Sequence, residues 1–229
     1  MSQIIAIIPC YNAESQCRHV VDHTSGLVDT IITIDDGSTD HTLQELEKTK
    51  SHLIRFPKNK GKGHALIAGF KQALTDKDCR WIVTLDADGQ HDPKEISHFI
   101  ELARKRHFQI VVGSRGYFRN APLKRKLANW VSTGVISLAA RQWILDAQSG
   151  FRLFTAGALK KLLPHIHGGR FETETEILII AARMGYSIGW VPIHVHYSKE
   201  TVRLSTFRDI PDSLRIARSI VEAGIRHMG

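Results

Sequence analysis

The chain has 229 residues, 42% of them apolar, and a net charge of +8 from 31 basic and 23 acidic side chains. That is enough apolar material for one sizeable core, and no fixed-period repeat, low-complexity tract or Pro/Ser-rich linker divides it, which excludes solenoids and disordered tails. No apolar run reaches the roughly 18–20 residues of a spanning helix, the N-terminus enters QIIAIIPCYN without the marks of a signal peptide, and Cys10, Cys17 and Cys79 lack metal-ligand spacing, so the expected location is the reducing cytoplasm.

Strand-like runs alternate with helical patterns along the first half. IIAIIP (4–9) predicts a short buried strand stopped by proline, and TIITID (30–35) a second, rich in β-branched residues. HLIRF (52–56), WIVTLD (81–86) and QIVVGS (109–114) follow, with helical patterns near 13–24, 40–50, 63–75 and 93–106. This alternation predicts an α/β domain around a largely parallel sheet flanked by helices. The fourth helix is well signalled: Asp92 as N-cap, Pro93 as N1 and Glu95 as N3 form a capping-box pattern, and Ile96, Phe99, Ile100 and Ala103 recur at helical spacing. In the second half the pattern predicts a long helix from Pro122 to about Ile144, a short strand in SGFRLF (149–154) and a helix in AGALKKLLP stopped near Pro164. A helix over ETETEILIIAARMG ended by Gly185, a strand in IGWVPIHVHY, and an amphipathic stripe over 209–227 complete the chain.

Ligands of open α/β sheets bind beyond the carboxyl ends of the strands, where this chain places PCYNAES (9–15), DDGSTD (35–40) and DADGQHD (86–92). In an extended segment Asp86, Asp88 and Gln90 project to one side and offer oxygens to a hard cation, Mg²⁺ or Mn²⁺; the plain alternative is a solvated turn with Asp92 as cap. The pair Asp35-Asp36 suits a ribose or base edge, or simply a turn. NKGKG (59–63) brings glycines and Lys60 and Lys62 ahead of a helix but is not a Walker loop. Between Leu102 and Leu145 stand nine Lys/Arg and no Asp/Glu, among them Arg115, Arg119, Lys124, Arg125 and Lys126. The tract reads as a solvated face or as a site for a phosphate or membrane surface.

Taken together, IIPCYNAES, TIDDGSTD, NKGKGHALIAGF, TLDADGQHDPKEI, VVGSR, DAQSGFRLF and FETETEILIIAARMGYSIGWVPIHVHY resemble, in order and spacing, the family 2 glycosyltransferases, and within them the dolichyl-phosphate mannose synthase-like and bacterial polyprenyl-phosphate glycosyltransferase branch. The resemblance covers roughly residues 3–205. It implies a GT-A (Rossmann-like) fold: one domain over 1–229, with a nucleotide-sugar half (1–115), an acceptor half (116–205) and a C-terminal amphipathic helix (206–229). It implies a GDP- or UDP-sugar donor and a divalent cation. Pro9, Tyr11, Asn12, Glu14, Asp35, Asp36, Gly37, Lys62, Gly63, Asp86, Ala87 and Arg115 fall on its donor side, Asp86, Asp88 and Gln90 on its metal and diphosphate motif. Gln148, Ser149, Gly150 and Arg152 fall on its acceptor loop, and Arg203 and Ser205 on a loop over the donor, in a context that departs from the usual Gly-rich one.

The implied chemistry is transfer of a sugar to an acceptor, expected to be a polyprenyl phosphate, with Asp88, Arg115, Asp146 and Arg203 as catalytic groups. A lipid phosphate is already anionic and needs no general base; a glycan hydroxyl needs one, and Asp146 or Glu174 are the candidates. Glu172, Glu174 and Glu176 otherwise read as a solvated helix start favoured by the dipole. Lys124 and Arg125, with Ser205, are placed at the acceptor. The 209–227 stripe suits a membrane surface at the inner face, the chain's own core or a second subunit. The competing readings are transfer to a soluble or envelope glycan, nucleotidyl transfer, and a non-catalytic nucleotide-sugar binder. Nucleotidyl transfer lacks its Gly-rich, lysine-bearing signature, and RNA binding lacks aromatic–basic interleaving.

Overall fold

The computed structural model describes residues 3–115, 133–134, 136–170 and 172–195. Its centre is a seven-stranded sheet of β1 (Gln3–Cys10), β2 (Thr30–Asp35), β3 (His52–Arg55), β4 (Cys79–Thr84), β5 (Ile110–Arg115), β6 (Arg152–Thr155) and β7 (Ile188–Ile193), in the order β3-β2-β1-β4-β6-β5-β7. Every neighbouring pair is parallel except those of β6, which runs antiparallel to both β4 and β5. The helices are α1 (Cys17–Thr24), α2 (Thr42–Glu47), α3 (Lys62–Ala73), α4 (Ile96–Arg106), α5 (Ala156–Leu162) and α6 (Glu172–Arg183).

The near-continuous apolar strands follow from burial on both faces. Ile5, Ile7, Ile32, Ile34 and Phe154 point into a cluster with Phe70 of α3, Leu159 of α5 and Ile177 of α6. Ala6, Ile8, Val83 and Leu153 point the other way, toward Val20 and Val21 of α1 and Phe99 of α4. Side chains two apart share a face, so each strand feeds both layers. This is the helix–sheet–helix arrangement that the alternation predicts.

Several boundaries differ from the sequence expectations. The first helix starts at Cys17, because residues 13–16 form a turn closed by Cys17 N on the Ala13 carbonyl at 2.9 Å. The strand expected over 149–154 lies at Arg152–Thr155. The capping box at α4 is half made: Asp92 accepts from Lys94 N, not from the third position, and the first turn is a 3₁₀ turn over Pro93–Glu95. The Glu95 carboxylate turns away from Asp92 and accepts from His194 N at 3.1 Å, beyond the end of β7, so a tertiary contact replaces the local one. Residues 136–140 are helical, but Arg141 takes a left-handed φ of 54° and Ile144 N donates to Ser137 Oγ at 3.0 Å, so this helix stops before Ile144. Its expected beginning at Pro122, the 209–227 stripe, and Arg119, Lys124, Arg125, Lys126, Arg203 and Ser205 lie outside the described residues. No described helix is long and apolar enough to cross a membrane.

Candidate active site

Parallel pairing brings the ends of β1, β2 and β4 to one edge, with Cys10 opposite Asp35, and the loops that follow interlock there. Asn12, at φ 49°, donates its backbone N–H to Ser38 Oγ at 3.0 Å and accepts from Thr39 N at 2.9 Å. Glu14 Oε2 accepts from His41 N at 2.9 Å, and Asp35 Oδ1 from Ser38 N at 3.0 Å. Asp36 is 2% exposed. Its oxygens accept from Lys60 N at 2.7 Å, Gly61 N at 2.8 Å and Asn59 Nδ2 at 3.1 Å. Burial pushes the Asp36 carboxyl up while those N–H donors pull it down. Glu14, Asp35 and Asp36 therefore shape the rim: they hold the loops around Pro9, Tyr11 and Gly37 in place.

The acidic loop after β4 is a turn, not the extended segment assumed in aligning its side chains. Gly89 has φ 72° and Gln90 N donates to Asp88 Oδ1 at 3.0 Å. Asp86 faces Lys62, from the first turn of α3, at 2.5 Å, and the same ammonium lies 3.0 Å from Glu174 Oε1 on α6. Burial opposes the Lys62 charge, but Asp86 and Glu174 outweigh it and hold its pKa above the ordinary lysine range. Burial likewise opposes ionisation of Asp86, yet Lys62, His91 and Arg115 hold that carboxyl below its ordinary value. At Asp88 burial first, then the Asp86 charge, outweigh the Gln90 N–H and the charges of Lys62 and Arg115 and raise the carboxyl from 3.8 to about 6. Ala87 is buried beneath the turn, and Gly63 donates its N–H to the Gly169 carbonyl at 2.9 Å, which seats α3 against the loop before α6.

On the other side, Asp146 is 5% exposed and grips Arg115 from three directions: Nε to Oδ2 at 2.9 Å, NH2 to Oδ1 at 2.9 Å, and the backbone N–H to Oδ2 at 3.2 Å. Gln148 N donates to Asp146 Oδ1 at 3.2 Å, and its side chain is exposed. Gly150 presses on Asp86: a Cβ there would stand 2.3 Å from Asp86 Oδ2. Arg152, expected at the acceptor, is 1% exposed and donates to the carbonyls of Ser149 at 2.8 Å, Ala147 at 2.8 Å and Glu174 at 2.5 Å. It shapes the loop, because a guanidinium with three fixed acceptors has no reach to solvent. The glutamates of α6 are not a solvated start either. Glu174 is 3% exposed on Lys62, and Glu176 accepts from His167 N at 3.3 Å.

The structure gathers Lys62, Asp86, Asp88, Arg115, Asp146 and Glu174 into one site. Sequence reasoning passed over Asn59, whose amide helps hold Asp36, and His91, buried at 7% exposure with its ring 5.6 Å from Phe151. His91 stood in the acidic stretch, but nothing local separates a packed histidine from an exposed one. The half-buried carboxylates Asp86 and Asp88 and the buried Asp146 and Glu174 face the cations Lys62, Arg115 and Arg152, and the surplus negative charge rests on Asp88. Among the described residues no group of three or more His, Cys, Asp or Glu gathers into a preformed metal cage. The pair Asp86 and Asp88 fits a hard cation that keeps water and phosphate oxygens as its other ligands.

Comparison with known proteins agrees with this geometry. The UDP-N-acetylglucosamine–dolichyl-phosphate N-acetylglucosaminyltransferase of Methanococcus voltae is 36% identical over 89% of this chain and 89% of its own length. A dolichyl-phosphate beta-glucosyltransferase of Trichomonas vaginalis is 29% identical over 82% of this chain and 62% of its own. The fold matches the GT-A enzyme glucosyl-3-phosphoglycerate synthase of Mycobacterium tuberculosis, solved with Mn²⁺, UDP and glucosyl-3-phosphoglycerate, at TM-score 0.71 and 18% identity over 99% of this chain and 80% of that one. The family model for glycosyl transferase family 2 matches residues 5–163, and the chain belongs to that family: it is a glycosyltransferase of GT-A fold.

Proposed function

We propose that the protein transfers a sugar from a UDP-sugar to a polyprenyl phosphate of the dolichyl type, with inversion and with a divalent cation. One observation carries the choice of acceptor. Both carboxylates that would serve as base to a hydroxyl acceptor are engaged by cations, Asp146 by Arg115 and Glu174 by Lys62. An acceptor that arrives as a phosphate is already a nucleophile and asks for no base. The dolichyl-phosphate relatives favour the same class, and the UDP in the names of the Methanococcus relative and the mycobacterial complexes favours a uridine donor over a guanosine one.

In this reading the interlocked loops at Pro9, Tyr11, Asn12, Glu14, Asp35, Asp36 and Gly37 hold the nucleoside, and Asp86 and Asp88 hold a Mg²⁺ or Mn²⁺ ion with Gln90 beside them. The ion, when bound, supplies Lewis acidity to the departing diphosphate. Lys62 and Arg115 add fixed positive charge where the diphosphate charge develops, and the low-dielectric surroundings make that charge effective. An acceptor phosphate oxygen forms a bond to the sugar carbon from the face opposite the diphosphate, whose bond breaks, so the configuration inverts and no proton moves. Gln148, Ser149 and Gly150 border the acceptor. Lys124, Arg125, Arg203 and Ser205, outside the described residues, are assigned to the phosphates. The basic tract between Leu102 and Leu145 would hold the chain peripherally against an anionic inner membrane face.

The test is incubation of the protein with UDP-N-acetylglucosamine and Mn²⁺, with either dolichyl phosphate or dolichol in detergent micelles. The expected product forms only on the phosphate, is released by mild acid as glycosyl phosphates are, and disappears with a chelator. Equal transfer to dolichol or to a glycan hydroxyl would overturn the reading.

A further inference from the structure

Glu174 belongs to both sides of the site. Its carboxylate holds the Lys62 ammonium at 3.0 Å, and that ammonium holds Asp86 at 2.5 Å. Its backbone carbonyl accepts from Arg152 at 2.5 Å. The other donors of Arg152 fix the carbonyls of Ala147 and Ser149, and the residue before Ala147 is the Asp146 that grips Arg115. A continuous chain of charged and hydrogen-bonded groups therefore runs from Asp86 through Lys62, Glu174, Arg152 and the 146–149 loop to Arg115. Gly150, packed on the Asp86 carboxylate, gives that loop a second, steric contact with the same end. Along it Lys62, Glu174, Arg152, Asp146 and Arg115 are at most 16% exposed and Asp86 is 24% exposed, so a shift of charge at one end is weakly screened on its way to the other.

We propose that Glu174 is a positioning residue that couples the donor side to the acceptor side, so that the loaded donor site tightens the acceptor site and the reverse. The inference rests on the function proposed above and adds a coupling between its two substrates. A diphosphate with its cation at Asp86 gives that carboxylate a second positive partner and draws the Lys62 ammonium toward the phosphates. Glu174 must follow or lose its ion pair, and Arg152 carries residue 174 and the acceptor loop as one piece. By linkage the effect is reciprocal: UDP tightens the acceptor by the factor with which the acceptor tightens UDP.

The experiment measures binding, not turnover. Calorimetry gives the dissociation constants of UDP with Mn²⁺ and of geranyl phosphate, each alone and with the other saturating. The wild type is expected to bind geranyl phosphate about tenfold more tightly when UDP is present, within the range usual for coupled sites. In Glu174→Gln that ratio falls to about one, since the amide oxygen can accept from the ammonium but supplies no countercharge to it, while Glu174→Asp, which keeps the charge, recovers part of it. Lys62→Gln cuts the same chain from the other end and serves if the first variant fails to fold; it should also bring the ratio to about one. A ratio that stays tenfold in a folded Glu174→Gln or Lys62→Gln variant, or a wild-type ratio of one with both ligands bound, would overturn the coupling and leave the proposed function standing. A wild type that binds neither ligand would overturn both.

Discussion

Asp88 is the acid whose environment is most at odds with its charge. Its neighbour Asp86 is compensated by Lys62 in direct contact, whereas at Asp88 burial and the Asp86 charge outweigh the more weakly felt Lys62 and Arg115 and raise it to about 6. An acid whose folded pKa stands above its ordinary value costs the native state stability as pH rises through about 4 to 6, and the whole cost is present above that window. Asp88→Asn at pH 7 is therefore expected to melt no lower than the wild type while losing the Mn²⁺-dependent stabilisation by UDP. For the wild type at one hundred times the dissociation constant that stabilisation is about 2.7 kcal/mol. Thermal shift with UDP, with and without Mn²⁺, checks both halves. A drop in melting temperature with the UDP response intact would show that Asp88 is a structural cap and not a ligand.

The 146–150 loop ahead of β6 is built by close approach. Gly150 sits where any side chain would enter Asp86, with Oδ2 at 2.3 Å and Oδ1 at 2.5 Å from the position of a Cβ. Asp86 is held by Lys62 and cannot recede without breaking that pair. Gly150→Ala should therefore cost transfer at least a hundredfold while changing stability by about 1–3 kcal/mol, the usual range for overpacking; rates and urea midpoints on the same preparation separate the two effects. At its far end α6 stops in a Schellman arrangement. Tyr186 N donates to Ala181 O at 3.0 Å, Gly185 N donates to Ala182 O at 3.1 Å, and Gly185 sits at φ 80°. That stop was legible in the Met-Gly-Tyr spacing because it depends on residues adjacent in the chain. The half-made capping box at Asp92 was not, because Glu95 found a partner just past the end of β7, 99 residues away.

β6, from the second half of the chain, is inserted between two strands of the first half. It pairs with β4 on one side and β5 on the other, with Phe154 in one core layer and Leu153 in the other. Strands from both halves of the chain therefore share one sheet and one pair of cores, and they should unfold together. Phe154→Ala, at 0% exposure and in edge contact with Phe70 at 5.6 Å, is expected to cost about 3–5 kcal/mol in one transition seen alike by near- and far-ultraviolet circular dichroism. Two separated transitions would mean the halves fold as independent units.

The order of strands and helices along the chain and the three polar loops at the strand ends were written in local periodicity, which needs no knowledge of distant contacts. The placing of Asp86 and Asp88 at such an end followed from the same pattern. Partnership was not local. Lys62 and Glu174 lie 112 positions apart and Arg115 and Asp146 31, so no spacing rule joins them. Whether a carboxylate is a free base or half of an ion pair, and whether Arg152 meets an acceptor or a row of carbonyls, depends on which loops the sheet brings to the same edge.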